Sequence, residues 1–377
     1  MTVRLVAKLA CLSRVFTLCF VWLANVSMSD GRNGLVLGVQ RDPLAWGSKL
    51  LNSLVQWDGA HFLNIAVRGY DSVLSHAFMP GLPMVMRLAS FVVKTDSAYW
   101  MAIWGLIFVQ VSFVFAAIGL YKLSCYLQTS MNINPMRATL FYIFCSANIF
   151  QSALYTESPF CMCTFWGIYW LVSDRFWRAT LAFSVAMMFR SNGILALGYV
   201  LFASPKTRNA YTRIVAAACI YLPYYLYTQW STNEFCPGAI WCGKRSIYAH
   251  VQKTFWKVDF LSYWTLNNIW FFLLMLPALT VALHAPYFYL RDLINKKDKE
   301  HALLYMCFLG QMGILTAFVV FVANSQILTR ILTSCPMYFW TFDRLTKQKG
   351  LGEYVFFLNF AYFLAGPIFF GNGLNWT

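Results

Sequence analysis

Long apolar runs separated by short polar breaks extend over most of the chain. The first run covers residues 9–28 and is close to the ~20 residues that a helix needs to cross a bilayer. Further apolar runs follow at 80–93, 98–127, 137–152, 156–173, 177–204, 212–229, 264–290, 301–323, 327–343 and 352–371. This pattern predicts an all-α polytopic membrane protein with about 11 transmembrane helices, the shorter runs being tilted, re-entrant or shielded by neighbours.

The first apolar run has features of both a signal peptide and a membrane anchor. It follows Arg4 and Lys8 and is interrupted by Arg14. A cleaved signal peptide and a first anchor both fit a basic start followed by an apolar stretch. Because no small-residue cleavage site follows, we expect an anchor with a cytosolic N-terminus.

Composition agrees with a bilayer environment. Of 377 residues, 59% are hydrophobic and only 11% are charged, whereas a soluble domain carries about 25% charged residues. Ser/Gly-rich linkers are absent, so residues 1–377 are predicted to form a single membrane domain. The formal charge of +15 fits basic cytosolic loops, and some of these cations can also bind lipid phosphates.

Charge distribution predicts the orientation of the chain. The short basic segments Lys206–Arg213, Arg291–Glu300 and Arg344–Lys349 should be cytosolic. Two long polar segments, about 29–79 and 230–263, then lie on the opposite side, which is the lumen if the membrane is the endoplasmic reticulum. Counting spans in this way places Glu157 near the cytosolic end of a span, which conflicts with a role on the luminal side.

The first luminal segment contains a candidate catalytic carboxylate. Asp58, His61, Phe62 and Ile65 are spaced to share one face of a short helix that ends near Gly69, and Trp57 suits a helix lying in the membrane interface. Asp58 stands at the start of that helix, where an aspartate is also a good N-cap. Spacing alone leaves the capping and catalytic roles open.

Charged residues inside apolar runs are the second group of candidates. They are Arg87, Glu157, Arg190 and Arg330. Each costs roughly 2.5–3.5 kcal/mol at a helix centre, so each should face protein, water or a polar ligand. For Glu157 and Arg190, a structural ion pair between helices is an equally good explanation.

The second luminal segment combines basic and aromatic side chains. Trp241, Lys244, Arg245, His250 and Lys253 are suited to hold a lipid phosphate and a sugar. An aromatic belt with snorkelling lysines is the alternative. Cys236 and Cys242 are close in this segment and are predicted to form a disulfide if it faces an oxidising lumen.

The sequence contains no Gly-rich nucleotide loop, no H-E-x-x-H motif and no C-x-x-C pair. Cys161 and Cys163 are two residues apart on a predicted helix, so they point in different directions and do not form a metal site unaided. We therefore expect no cofactor and no metal. If the protein transfers a group, the donor should be lipid-borne, and no nucleic-acid partner is expected.

Several motifs together resemble the second mannosyltransferase family of glycosylphosphatidylinositol (GPI) anchor synthesis, the PIG-V family. In chain order they are Trp57–Tyr70, Ala77–Pro80, Ser152–Ser158, Arg190–Ile194, Trp241–Cys242, Phe255–Tyr263, Gln326–Arg330 with Ser334 and Pro336, and Trp376–Thr377. The resemblance implies a GT-C glycosyltransferase in the endoplasmic reticulum membrane. Such an enzyme adds the second, α1,6-linked mannose from dolichyl-phosphate mannose to the GPI precursor.

The resemblance also implies a mechanism. Transfer from a β-linked mannosyl phosphate to an α-glycoside inverts the anomeric carbon, and a carboxylate should accept the proton of the attacking hydroxyl. The family usually has an acidic residue where this chain has Val73, and Met79 replaces a phenylalanine. The nearest acids are Asp71 and Asp58, which concentrates the chemistry on Asp58 as general base.

Basic residues should meet the phosphates of donor and acceptor. Arg190 is the first candidate because Asn192 and its neighbours add donors, and Arg330 is the second. His250 and Lys253 are more exposed candidates, while Trp57, His61 and Glu157 complete the predicted substrate-binding set. Whether a small accessory membrane subunit takes part is left open by the sequence.

Two other functions remain open at this level. Another lipid-linked-sugar mannosyltransferase, acting on the first or third GPI mannose or on an N-glycan precursor, has the same requirements. A multi-pass transporter would explain the spans and buried charges, but its key groups lie near the midplane. It would not explain an Asp58-led amphipathic segment outside the spans, and no fixed-period repeat supports it.

Overall fold

The protein is all-helical over the residues that the computed structural model describes, which are 2–28, 46–203, 209–236, 239, 242–243, 246–296, 302–374 and 376. The α-helices are α1 Val3–Ser27, α2 Trp46–Leu54, α3 Asp58–Arg68, α4 Gly81–Val93, α5 Ala98–Tyr126, α6 Gln128–Met131, α7 Pro135–Ile143, α8 Glu157–Val172, α9 Phe176–Phe189, α10 Ala196–Phe202, α11 Ala210–Phe235, α12 Ile247–Trp256, α13 Ile269–Lys296, α14 Ala302–Phe321, α15 Leu328–Ile331, α16 Pro336–Leu345 and α17 Leu351–Gly371. Short 3-10 helices cover Val73–Ala77, Ser191–Leu195, Leu266–Asn268, Ser325–Ile327 and Leu332–Ser334. The predicted all-α class is confirmed.

Three helix starts are capped by a polar side chain. Asn134 accepts a hydrogen bond from the Arg137 N–H, with Pro135 at the first helical position of α7. Asn209 caps α11 through the Thr212 N–H, and Ser246 caps α12 through the Ala249 N–H. These side chains satisfy amides that have no partner within their own helix.

The prediction of about 11 transmembrane helices is not confirmed. Among the described residues, five helices are long and apolar enough to cross a membrane: Val3–Ser27, Ala98–Tyr126, Leu266–Asn295, Ala302–Phe321 and Leu351–Gly371. Shorter apolar helices cover Gly81–Val93, Phe176–Phe189 and Ser191–Phe202. The predicted anchor at the N-terminus is the first of the five long helices, and the buried Arg14 faces the bundle interior.

Three predicted spans are broken rather than continuous. The run 137–152 is helical only to Ile143 and then continues as irregular backbone to Thr156. The run 177–204 breaks after Phe189 at Arg190, and the rings of Phe183 and Tyr199 stack 6.4 Å apart. The break at Arg190 thus separates α9 from α10, which are joined by the 3-10 helix Ser191–Leu195. The run 327–343 is interrupted before Pro336, where a 3-10 turn separates α15 from α16.

The irregular segment 144–156 is buried, apart from Phe144, and its backbone is satisfied by side chains from neighbouring helices. Arg14 of α1 donates to the Asn148 carbonyl (3.2 Å) and to Ser152 Oγ (2.6 Å). Asn359 of α17 accepts from the Ser146 N–H (3.0 Å) and donates to the Phe144 carbonyl (3.0 Å). Non-helical backbone is tolerated at such depth only where protein groups satisfy it.

The charged and polar segments gather at two ends of the molecule. Arg344 pairs with Asp292 at 2.8 Å, and Arg137 pairs with Asp343 at 2.8 Å. We call this the basic end. Residues 46–79 and 246–263 meet at the other end, the loop end, where the ring centres of Phe78 and Trp256 lie 5.8 Å apart. Helix α13 begins close to the loop end and reaches Asp292, a rise of about 35 Å.

This arrangement removes the conflict over Glu157. Helix α5 ends next to Arg137 and the basic end, so α7 and the segment 144–156 return the chain to the loop end, where Glu157 begins α8. Helix α4, with 13 residues, rises only about 20 Å and does not make a full crossing. Counting the 80–93 run as a full span is what placed Glu157 near the cytosolic end.

Part of the predicted loop chemistry lies outside the described residues. This applies to residues 29–45 of the first polar segment, to Lys206, and to Trp241, Lys244 and Arg245 of the second.

Candidate active site

A cavity of about 870 Å³ opens at the loop end, where the breaks in the apolar runs meet. Its polar and charged lining includes residues from segments far apart in the sequence: Asp58, Thr156, Arg190, Ser191, Asn192, Tyr248, Gln252, Lys253, Asp259, Asn324, Gln326 and Arg330. Leu315 and Phe318 of α14 add apolar wall inside the bundle. The volume is in the range of small-molecule sites.

Arg330 links the two carboxylates of the site. Its Nη2 lies 3.0 Å from Asp58 Oδ2 and 2.8 Å from Glu157 Oε1, and its Nε donates to Glu157 Oε1 at 2.9 Å. Arg190 Nη1 approaches the same Glu157 oxygen at 2.7 Å. Four residues from four segments therefore form one ion-pair network with no net charge, in which charge-assisted hydrogen bonds fix each side chain.

The guanidinium of Arg330 lies over two aromatic rings. Its guanidinium carbon lies 4.4 Å from the centre of the Phe150 ring and 4.9 Å from that of Tyr155. Both rings belong to the irregular segment 144–156. A cation over desolvated rings gains additional stabilisation, so this segment places Arg330 at the cavity wall.

Exposure separates the roles of the two carboxylates. The Glu157 side chain is 2% exposed, whereas that of Asp58 is 30% exposed. Among the described residues, Asp58 Oδ1 has no hydrogen-bond partner, because only Oδ2 accepts from Arg330. Glu157 therefore anchors the two arginines, and Asp58 is the carboxylate that a bound molecule reaches.

The capping role considered for Asp58 is wrong. The helix α3 begins at Asp58 itself, its N-cap is Trp57, and no side chain caps it. The Asp58 carboxylate is directed to Arg330 instead. The predicted end of this helix is confirmed, since Gly69 follows Arg68 with a φ of 80°.

Within the described residues 46–79 of the first polar segment, Asp71 is the second acid, and it lies away from the cavity lining. It accepts hydrogen bonds from Asn64 (3.2 Å) and from Ser75 (3.4 Å). Val73, at the position where the family has an acid, starts a 3-10 helix. The described part of the segment, residues 46–79, thus supplies one carboxylate to the cavity, that of Asp58.

Arg190 and Asn192 reach the cavity because the helix ends there. Arg190 is the C-cap of α9 with extended backbone (φ −149°, ψ 136°), and its side chain is 20% exposed. Ser191 Oγ and Tyr248 Oη lie 2.7 Å apart, which ties the break to α12. The structural pair between Glu157 and Arg190 is present, and Arg190 also faces the cavity.

The remaining predicted residues are divided between the rim and its surroundings. Lys253 lines the cavity and pairs with Asp259, which also lines it. Trp57 lines it as well, whereas His61 and His250 do not. His61 stacks on Phe78 at 4.8 Å, and His250 lies 3.5 Å from Thr254 within α12. Arg87 does not line the cavity either.

Two histidines near the loop end have lowered basicity. Burial lowers the pKa of His61, and the nearby Asp58 carboxylate offsets part of this effect. Burial alone lowers the pKa of His76 to about 4. His76 lies between Tyr70 (4.8 Å) and Phe235 (4.4 Å). Both imidazoles are therefore expected to be neutral at pH 7.

The sequence did not single out several cavity residues. Tyr155 lies beneath Arg330, Tyr248 contacts Ser191, and Asn324 and Gln326 precede Arg330. Tyr155 and Gln326 stand in motifs shared with the family, which is the one signal that could have identified them. Within the described parts of the chain, no three His, Cys, Asp or Glu residues are grouped closely enough to hold a metal ion.

The predicted disulfide between Cys236 and Cys242 is confirmed, with Cα atoms 5.0 Å apart. It closes a short loop after α11, next to the segment that begins α12.

The cavity combines a reachable carboxylate, two fixed guanidinium groups and an apolar wall. These groups suit removal of a hydroxyl proton next to an anionic leaving group.

Comparison with known proteins gives an independent result. Residues 3–355 match the family model described as Mannosyltransferase (PIG-V). The GPI mannosyltransferase 2 of Schizosaccharomyces pombe is 26% identical, over 91% of this chain and 78% of the relative. The GPI alpha-1,6-mannosyltransferase 2 of Homo sapiens is 25% identical, over 77% of this chain and 72% of the relative. An oligosaccharyltransferase structure from Archaeoglobus fulgidus aligns over 97% of this chain and 53% of its own, with a TM-score of 0.45 and 10% identity.

Proposed function

The chain belongs to the PIG-V mannosyltransferase family, and on this premise we propose that it adds the second, α1,6-linked mannose to the GPI precursor. The donor is dolichyl-phosphate mannose, and the acceptor is the mannosyl-glucosaminyl-phosphatidylinositol intermediate. The reaction takes place at the luminal face of the endoplasmic reticulum membrane in a single GT-C domain, without a cofactor.

One observation carries this proposal. Asp58, a partly exposed carboxylate, lies 3.0 Å from Arg330 in a cavity that Arg190 also lines. A single base next to two cations is the minimum set for displacing a phosphate from a sugar by a hydroxyl. The relatives named GPI mannosyltransferase 2 support the choice of acceptor.

The chemical step is a single displacement. The acceptor's 6-hydroxyl oxygen attacks C1 of the donor mannose, and its proton passes to Asp58. The bond between C1 and the phosphate oxygen breaks, and dolichyl phosphate leaves with the bonding electrons. Attack opposite to the leaving group converts the β-linked donor into an α-linked product.

Charge in the network changes together with the reaction. Before transfer, Asp58 and Glu157 balance Arg190 and Arg330. When Asp58 accepts the proton, the four groups carry one net positive charge. The donor phosphodiester gains one negative charge at the same time, as it becomes dolichyl phosphate. Arg330, which contacts Asp58, is therefore the cation best placed to respond to both events.

The other predicted binding residues take more limited roles. Arg190 and Asn192 hold the donor phosphate, and Trp57 provides an aromatic surface for a sugar. Lys253 serves the acceptor phosphate at the rim. His61 and His250 lie outside the cavity lining and act, at most, through their neighbours. The apolar wall of Leu315 and Phe318 suits the first isoprene units of the donor.

The experiment uses purified protein in mixed micelles with labelled dolichyl-phosphate mannose. Three acceptors are offered, carrying none, one or two mannoses on the glucosaminyl-phosphatidylinositol core. Transfer to the one-mannose acceptor alone, with a product sensitive to an α1,6-mannosidase, is expected. Transfer to either other acceptor would assign the chain to a different step. Absence of transfer to any acceptor by folded protein would remove the proposed activity.

A further inference from the structure

Trp57, directly before Asp58, has an unusual backbone conformation. Its φ of 51° and ψ of −121° lie in a region that favours glycine. The Gly59 N–H donates to the Gln56 carbonyl at 2.9 Å, so residues 56–59 form a tight turn with Trp57 at its first central position. In turns of this geometry that position is dominated by glycine. A tryptophan therefore holds a strained conformation that requires outside support.

The support comes from the hydroxyl of Tyr155. It accepts a hydrogen bond from the Asp58 N–H at 3.1 Å and donates to the Gln56 carbonyl at 3.4 Å. The two contacted groups lie on either side of Trp57. A change of the Trp57 φ toward negative values would turn these two groups relative to each other, so the hydroxyl could no longer contact both.

The turn is docked on the segment around Tyr155 in two further ways. The Leu154 N–H donates to the Leu54 carbonyl at 3.0 Å. A Cβ atom at Gly59 would lie 3.3 Å from the Leu154 carbonyl oxygen, so the glycine permits this close approach. Tyr155 itself is buried, and its ring lies under Arg330 at 4.9 Å.

We infer that Tyr155 is a positioning residue, which holds the strained turn at Trp57 and thereby directs the Asp58 carboxylate to Arg330. It does not exchange a proton with substrate. The ring supports the cation and the hydroxyl supports the base, so one buried side chain sets both partners of the 3.0 Å contact. This inference rests on the proposed role of Asp58 as general base.

The test is a cycle of variants assayed for kcat and for the donor KM. Tyr155→Phe keeps the ring under Arg330 but loses the hydroxyl, so kcat should fall about 10–100-fold because the base is misplaced. The donor KM should change less than about twofold. Tyr199→Phe is the matched control. Its buried hydroxyl donates to Gln311 Oε1 at a distance of 2.6 Å. Neither residue lines the cavity, so the kcat of this variant should stay near that of the parent.

The decisive arm repeats Tyr155→Phe in a Trp57→Gly background. Glycine adopts the positive φ without strain, so loss of the hydroxyl should there lower kcat by no more than about threefold, although Trp57→Gly itself weakens sugar binding. An equal fold-loss of kcat on Tyr155→Phe in the parent and in the Trp57→Gly background would overturn the inference. An unchanged kcat in Tyr155→Phe would overturn it as well. Full turnover in Asp58→Asn would instead refute the general base, so the two failures are separable.

Discussion

At the level of single residues, Glu157 and Asp58 share Arg330 but differ in what can reach them. Glu157 is enclosed and accepts from both arginines, so its removal takes the carboxylate partner from Arg190 and leaves Arg330 with Asp58 alone. Breaking such a pair from one side is costly, whereas replacing both partners is much less so. This difference makes the structural and ligand-binding roles of Arg190 experimentally separable.

Arg190→Lys is predicted to raise the donor KM about tenfold. The charge remains, but the planar guanidinium is lost and with it one charge-assisted hydrogen bond to the donor phosphate. Folded yield should change little. The measurement is steady-state kinetics with varied dolichyl-phosphate mannose at saturating acceptor.

A double replacement provides the control. Arg190→Met alone should reduce the yield of folded protein, and adding Glu157→Gln should restore much of it. Donor affinity should remain weak in the double variant. Recovery of both yield and donor KM would show that Arg190 serves only Glu157.

Most charged residues of the site could be identified from the sequence, but of their contacts only the pair between Glu157 and Arg190 was considered. Asp58, Arg190 and Arg330 were found because charge is costly near apolar runs and because Asp58 starts an amphipathic helix. Tyr155 was missed as a site residue, since a tyrosine in an apolar stretch carries no charge signal. Its importance depends on contacts across 97 residues of sequence separation.

At the level of elements, the apolar runs were located well and their continuity was not. The run 137–152 contains enough apolar residues for a short span, yet its second half is irregular. Composition does not distinguish a lipid-facing helix from irregular backbone buried in protein. The difference lies in partners such as Arg14 and Asn359, which come from the N-terminal and C-terminal helices.

Asn359→Leu is predicted to destabilise the protein by about 2–3 kcal/mol. The near-isosteric change leaves the Ser146 N–H and the Phe144 carbonyl without their partner in the bundle interior. The measurement is the thermal unfolding midpoint in detergent. Asn372→Leu, at the C-cap of the same helix, is the control, because Asn372 donates to a Met28 sulfur and to the Ile368 carbonyl of that helix. Equal midpoints for the two variants would contradict this role for Asn359.

At the level of the whole molecule, the basic and loop ends define the orientation. Arg344 pairs with Asp292 at one end, while Asp58 and Lys253 share the cavity at the other. The polar and basic segments were predicted to separate in this way. The convergence of distant segments on one cavity was not predictable from a single sequence, since it depends on packing.

Labelling of sealed microsomes with a membrane-impermeant maleimide tests the predicted sidedness. Lys349→Cys, at the basic end, should react in intact vesicles. The basic end is predicted to be cytosolic, and the cytosolic side of the membrane faces outward in sealed microsomes. Ser262→Cys, at the loop end, should react only after permeabilisation. The parent protein gives the background from its native thiols. Labelling of Ser262→Cys in sealed vesicles would contradict a luminal active site.

The most direct test of the account is the turnover of Asp58→Asn with dolichyl-phosphate mannose and the one-mannose acceptor. The amide keeps the size of the side chain but loses the proton acceptor, so kcat should fall at least ~100-fold. Monodispersity and unfolding midpoint should stay near those of the parent, because Glu157 still holds both arginines. Near-normal turnover by folded Asp58→Asn would contradict the proposed general base.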